Sequence, residues 1–241
     1  MREILQALAQ GGISLEAAEQ ALAQELDLGG VKLDLGRHRR TGMPEGIYGE
    51  AKSLEQLRQI LTHLPPEAHP LVTRLQPEKG AALALEFPAL HWHPEAGILK
   101  GNPQETRFAK AVALLSAGSS DLRVAEEAAL SASHLGAEVK RVYDVGVAGI
   151  HRLTSRLDEV KACGVAIVVA GMDGALPSLV GGLVGLPVIA VPTSVGYGVS
   201  FQGLAPLLAM LNACSSGVTV VNIDNGYGAA MAAIRILRGL A

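Results

Sequence analysis

The chain has 241 residues, room for one large domain or two small ones, and 49% of them are apolar, enough for a sizeable core. A net charge of −3 excludes a nucleic-acid binder that works by neutralising phosphates. Aromatic residues make up only 3%, so the core is built from Ala, Val, Leu and Ile, as suits a parallel sheet covered by helices on both faces.

Residues 1–27 read as two amphipathic helices, with Leu5, Leu8, Leu15, Ala18 and Leu22 at helical spacing and Ser14 as N-cap of the second. VKLDLG alternates like a strand. SLEQLRQILTHL is a helix capped by Ser53, with Pro65-Pro66 just past its end. PLVTRL and AALALEFP read as strands. HWHPEAGILKGNPQE has no clear periodicity and reads as loop or linker. A smaller α+β domain is therefore expected over 1–110, followed by a larger one over 111–241.

From there the pattern is regular. AKAVALLSAG closes as an apolar strand, and SDLRVAEEAALSASHLG is a helix burying Leu122, Ala125, Ala128, Ala129, Ala132 and Leu135. EVKRVYDVG is a strand, IHRLTSRLDEVKAC a helix, GVAIVVAG a fully apolar strand and ALPSLVGGLVG a short helix. PVIAVP, FQGLAPLLAMLNAC, GVTVVNID and YGAAMAAIRILRGL continue as strand, helix, strand and helix. This alternation implies βαβ units, a three-layer flavodoxin- or Rossmann-like fold with right-handed crossovers, and a ligand crevice at the carboxyl ends of the strands. The apolar runs are too short and too interrupted by Gly and Pro to span a bilayer. MREILQALAQGG lacks a secretory apolar core, and two cysteines without framework spacing suit a reducing compartment, so a cytoplasmic location is expected.

The crevice rule makes each strand-end loop a candidate. SAGSSD places Gly118, Ser119, Ser120 and Asp121 at a helix N-terminus, where N–H groups favour an anion; an ordinary N-cap fits equally well. It is not a Walker loop, since the GK[ST] element is missing, nor a GxGxxG turn. In DVGVAGIHR, Asp144 opens the loop, Gly146 and Gly149 make it flexible, and His151-Arg152 start a helix; His151 suits a base or neutral donor, or a plain surface histidine. AGMDGALPS sets Asp173 beside Gly171 and Gly174, where it fits a metal ligand, a ribose contact or a helix cap. Cys214, in LNACSSG, precedes its strand and sits among small polar residues, as a nucleophile or a filler would. Cys163, in EVKACGVAIVV, reads as a packed, inert thiol.

Taken in order, SAGSSDLRVAEEAA, DVGVAGIHRL, VVAGMDGALPSLVGGLVGLPVIAVPTSVGYG and LNACSSGVTVVNIDNGYGAA resemble the LarB family of nickel-pincer cofactor biosynthesis proteins, over residues 115–241. LDLGRHRRTGMPEGIYGEAKS is similar to that family's N-terminal region, and the second half also resembles aminoimidazole ribonucleotide carboxylases. The resemblance implies pyridinium-3,5-biscarboxylic acid mononucleotide synthesis from nicotinic acid adenine dinucleotide, with carbon dioxide or bicarbonate as co-substrate, Mg2+, and AMP as second product. It implies Cys214 as the nucleophile, with Asp173 and His151 in catalytic roles and Asp173 as a magnesium ligand. Gly118, Ser119, Ser120 and Asp121 then match a nucleotide-phosphate loop. Asp144, Gly171 and Gly174 follow as substrate contacts, and Arg37 and Arg40 as contacts to phosphate or carboxylate. Asp173 stands where the family more often has Glu, one methylene longer. A homo-octamer with active sites between subunits is expected, its product passing to sulfur- and nickel-inserting enzymes. The competing readings are an aminoimidazole ribonucleotide carboxylase or mutase, which needs no cysteine, and a nucleotide-binding regulatory module without chemistry. None involves nucleic acid or a membrane.

Overall fold

A computed structural model describes residues 2–22, 25–65, 68–105 and 108–240. Helices α1 (Arg2–Ala9) and α2 (Leu15–Leu22) stand where the spacing places them, and the Ser14 hydroxyl accepts the Ala17 N–H at the second start. The helical pattern does not run on to residue 27. Residues 25–27 form β1 (Glu25–Asp27), antiparallel to β2 (Lys32–Asp34), because Gly29 and Gly30 turn the chain at positive φ, with Asp27 accepting the Gly29 N–H.

The rest of the N-terminal half comprises α3 (Arg37–Thr41), β3 (Ile47–Tyr48), α4 (Leu54–His63), β4 (Leu71–Thr73), α5 (Pro77–Glu86), β5 (His91–His93) and β6 (Ile98–Lys100), with sheet order β3-β4-β6-β5. Helix α4 opens on a reciprocal box in which Ser53 and Gln56 each accept the other's backbone N–H. Two expectations are overturned here. AALALEFP is not a strand but the body of α5, started upstream by Pro77 and Glu78 in its first turn. Its buried residues, Gly80 and Leu83, are three apart, and a Cβ on Gly80 would lie 2.4 Å from the Trp92 ring. The Ala-Leu alternation mimics a strand, yet it leaves Leu85 exposed. HWHPEAGILKGNPQE is not a linker but a hairpin of β5 and β6, turning through Gly97 at φ +65°. Strand β6 shows no alternation because it is buried throughout, between β4 and β5.

The second half runs β7 (Val112–Ser116), α6 (Leu122–His134), β8 (Val139–Val142), α7 (Ile150–Thr154), α8 (Leu157–Lys161), β9 (Val165–Ala170), α9 (Leu176–Leu183), β10 (Val188–Pro192), α10 (Leu204–Leu211), β11 (Val218–Val220) and α11 (Gly226–Gly239). The five strands are parallel, in the order β11-β10-β9-β7-β8. Every residue of β7, β9 and β10 is buried, as a sheet covered on both faces requires. Ala-rich α6 and α11 cover one face; α7, α8, α9 and α10 cover the other. The helix expected over IHRLTSRLDEVKAC is two short ones, broken where the Ser155 hydroxyl donates to the Arg152 carbonyl and Arg156 leaves helical dihedrals. FQGLAPLLAMLNAC becomes helical only at Leu204, because Phe201 and Gln202 take left-handed dihedrals.

The N-terminal half docks on the α6–α11 layer. Met43 enters that layer's core, and Leu71, Ala96 and Ile98 pack on Leu130 and Tyr227. Arg238 donates to the Gly42 carbonyl, and buried His134 hydrogen-bonds the His69 carbonyl. Burial pulls the His134 pKa down to about 4, so the imidazole sits neutral in this seam. Among the described residues no helix is long and apolar enough to cross a membrane.

Candidate active site

Counted from β7, the strand order is 2-1-3-4-5, and its reversal falls between β7 and β9. The chain leaves β7 for α6 on one face and β9 for α9 on the other, so a crevice opens between their carboxyl ends. Its walls are the loop carrying Gly118, Ser119, Ser120 and Asp121 and the loop carrying Gly171, Met172, Asp173 and Gly174. Ser119 and Ser120 form an exposed 3-10 turn leading into α6, so their amides and hydroxyls are what this wall offers an anion.

Asp121 does a different job. It is 4% exposed; one carboxylate oxygen accepts the Gly118 N–H at 3.0 Å and the other accepts the Thr193 hydroxyl at 2.7 Å. Burial raises its pKa, while the Thr193 and Gly118 hydrogen bonds oppose that rise. Asp121 therefore shapes the Ser119-Ser120 turn and ties it to the loop after β10. Thr193 escaped the sequence reading, since its partner lies 72 residues away. Asp224 extends the same brace: its carboxylate accepts the Ser194 N–H at 2.8 Å. Of the six non-glycine residues with positive φ among the described residues, all but Arg74 (Asp144, Met172, Phe201, Gln202 and Asp224) lie in loops leaving the carboxyl ends of the five parallel strands. Backbone strain concentrated at one edge of a sheet marks a site whose surroundings hold it in place.

Gly171 is where the two walls meet. A Cβ there would lie 2.3 Å from the Val195 carbonyl oxygen and 2.5 Å from the Thr193 hydroxyl. Gly171→Ala must push the β9 and β10 loops apart. We expect it to cost about 1–3 kcal/mol of stability, read as a fall of several degrees in the thermal midpoint. A wild-type midpoint would refute the packing argument.

The other residues singled out in the sequence divide. Asp144 is held by an ion pair with Arg152, the neighbour of exposed His151 on α7, so that loop presents a histidine beside a fixed carboxylate. Asp173 is exposed and accepts the Ala175 N–H two residues on, an Asx turn ahead of α9, whose N-cap position is Ala175 and carries no side-chain cap. Gly174 takes φ +66°, and a Cβ on it would sit 2.8 Å from Pro206. Among the described residues no group of three His, Cys, Asp or Glu side chains forms a metal cage. Arg37 and Arg40 lie on α3. Arg40 gives both terminal nitrogens to Asp34, at 3.0 and 2.6 Å, and α3 ends at Gly42 beside Arg238. Arg238 lies 11 residues beyond Tyr227 at the other end of α11, about 16 Å along the helix. The structure does not bring Arg40 to the crevice.

The two cysteines differ as the sequence suggested. Cys163 is buried behind α8, its thiol donating to the Glu159 carbonyl, and burial pushes its pKa up. Cys214 is exposed on the loop from α10 to β11. That loop is pinned by the Ser215 hydroxyl to the Ser178 carbonyl in the first turn of α9 and by the Gly217 carbonyl, which accepts the Val188 N–H. Cys214 therefore leads into the amino end of β11, whereas the crevice loops leave the carboxyl ends.

Residues 25–103 match the family of LarB/PurE-like N-terminal domains, and residues 111–240 match the AIR carboxylase family. Over 244 aligned residues the chain is 38% identical to an uncharacterized protein of Methanocaldococcus jannaschii, covering 95% of this chain and 93% of that protein.

Proposed function

The chain belongs to the LarB family, with an AIR carboxylase-type second half, and on that premise we propose that it makes pyridinium-3,5-biscarboxylic acid mononucleotide from nicotinic acid adenine dinucleotide. The observation that carries this reading is Cys214: an exposed thiol on a pinned loop, in a chain whose other thiol is packed away. A pyridinium ring is electron-poor and cannot attack carbon dioxide. Addition of the Cys214 thiolate to the ring carbon para to nitrogen gives a dihydropyridine. Its enamine carbon, beta to nitrogen, then attacks carbon dioxide and forms the new carbon–carbon bond. Loss of the proton from that carbon and expulsion of the thiolate restore the aromatic ring. His151 and Asp173 are the candidate acceptors of that proton. Water then cleaves the phosphoanhydride, leaving AMP and the mononucleotide.

The anion loop at Ser119 and Ser120 takes a substrate phosphate, held in shape by Asp121 and Thr193. Magnesium belongs to this proposal. Asp173 offers one exposed carboxylate, in keeping with an ion that takes one or two carboxylates and fills its shell with water and phosphate oxygens. The chemistry it would supply there is polarisation of the phosphoanhydride.

The proposal includes assembly, as a homo-octamer. Leu204, Leu208 and Leu211 form an exposed stripe along α10, continued by Tyr197, Val199 and Phe201 in the preceding loop. Cys214 follows this stripe by three residues, which sets it at a boundary between copies. The product suits enzymes that convert carboxylates to thiocarboxylates and insert nickel, in the cytoplasm.

Purified protein with bicarbonate, magnesium and nicotinic acid adenine dinucleotide should release AMP and a pyridinium mononucleotide one carboxyl group heavier than nicotinic acid mononucleotide, both read by mass spectrometry. Turnover of aminoimidazole ribonucleotide alone would replace this reading with the purine carboxylase one.

A further inference from the structure

A cavity of about 330 Å³ lies in the seam between the two halves, lined by Tyr48 and Arg74 on one side and by Glu127, Asn222, Asn225 and Tyr227 on the other. Its wall includes the loop after β11, whose Asp224 braces Ser194 in the loop after β10. Glu127 is its unusual member. The side chain is on α6, among alanines, and the residue is 3% exposed. One carboxylate oxygen accepts the Tyr227 N–H at the start of α11, which accounts for that oxygen as a helix cap. The close approach is enforced by Gly226, where a Cβ would lie 2.4 Å from the Val124 carbonyl. The other oxygen, Oε1, is fully buried and accepts no well-aligned hydrogen bond from the described residues; Arg74 Nε stands 3.5 Å away as its ion-pair partner. A desolvated carboxylate oxygen without a hydrogen-bond donor is costly, and a cap for α11 did not require it.

We infer that this seam cavity seats the ribonucleoside half of the substrate beyond its phosphates, with ribose hydroxyls donating to Glu127 Oε1. The chemistry matches at each wall. A buried carboxylate is the acceptor that proteins use for a ribose diol. The Arg74 guanidinium lies over the Tyr48 ring, 5.9 Å from its centroid, at the more open side, and offers planar surfaces to a base. Asn222 and Asn225 offer amide NH2 donors, their oxygens already accepting the Ile223 and Gly228 N–H groups. The volume falls at the lower end of small-ligand sites, as suits half of a dinucleotide. The spacing also agrees. Asp121 caps α6 beside the anion loop, and Glu127 lies six residues on, about 9 Å along the helix, the order of a pyrophosphate bridge and the carbon beyond it. Arg74 itself takes φ +56° and donates to the Asp224 carbonyl, so the N-terminal half holds the same loop that braces Ser194.

This inference rests on the dinucleotide reading, and it gives the N-terminal domain a part in substrate choice: an aminoimidazole mononucleotide would leave the cavity unfilled. The experiment is calorimetric binding of AMP, 2′,3′-dideoxy-AMP and nicotinic acid mononucleotide to the full chain, its Glu127→Gln variant and its Tyr48→Ala variant. With wild type, dideoxy-AMP should bind about ten- to a hundredfold more weakly than AMP, the range for hydrogen bonds to a charged group. Glu127→Gln should erase most of that difference, Tyr48→Ala should weaken both adenine nucleotides alike, and neither should move nicotinic acid mononucleotide. Equal wild-type affinity for AMP and dideoxy-AMP would overturn the inference without touching turnover. AMP binding insensitive to both substitutions would also overturn it, directing attention to the separate cavity of about 600 Å³ beside His38, Asp34 and His69. Wild-type protein that shows the hydroxyl dependence but turns over no nicotinic acid adenine dinucleotide would sink the carboxylase reading and leave the nucleoside seat standing.

Discussion

Cys214→Ala should leave a folded protein with a carboxylation rate at least about 10⁴-fold below wild type, the scale on which covalent catalysis depends on its nucleophile. The thiol is exposed and on a loop, so its loss should change stability by no more than about 0.5 kcal/mol. Cys163→Ala should show the converse. That thiol is 3% exposed, and removing it opens a small void costing about 1–2 kcal/mol, with turnover retained at temperatures where the protein stays folded. Intact-mass analysis after acid quench should find the dinucleotide-derived adduct on wild type and Cys163→Ala but not on Cys214→Ala. Equal activity losses in two folded variants would remove the distinction, and full activity of Cys214→Ser would favour a carboxylase that works without a thiol.

If the proposed homo-octamer packs through α10, Leu208→Glu is expected to disperse it and abolish turnover while the subunit stays folded. Leu208 is 50% exposed on the single chain, so on a free surface this change would be worth no more than about 0.5 kcal/mol. Inside an apolar contact, the new carboxylate is stripped of water without a partner, and closed symmetry repeats that penalty at every copy. Light scattering coupled to size exclusion should report the fall in mass, and circular dichroism should show unchanged helix content. A wild-type mass and rate would mean that the α10 stripe stays bare.

The parallel sheet was legible because its information is local. GVAIVVAG and PVIAVP are continuous apolar runs of strand length bounded by Gly and Pro, and the helices between them repeat at 3.6. The N-terminal half was less so. Helix α5 carries a two-residue alternation that its Pro77 start overrides, and β6 lacks alternation because both its faces are packed, Leu99 in the N-terminal core and Ile98 against Leu130 of α6. SAGSSD stands at a helix start, as its pattern suggested, and the topological switch point falls beside it. The inward role of Asp121 was hidden, because Thr193 reaches it only through the fold. Glu127 offered a fainter clue: an acid spaced three residues from Val124 and from Leu130, both buried, on an otherwise small, apolar helix face. Arg40 misled because a pair of arginines three apart suggests an anion site, whereas Asp34 was its destination.

The seating of Met43 in the α6–α11 core has a consequence for how the chain comes apart. The N-terminal half lends a side chain to the other half's interior and takes Leu130 and Tyr227 as the floor for Leu71, Ala96 and Ile98. Severed near residue 105, each piece would present wet hydrocarbon where the other had been. Denaturant should therefore meet one cooperative transition rather than two, and co-expressed fragments should find each other where single fragments precipitate. The two halves chaperone each other: neither is a module that can be lent to another protein unchanged.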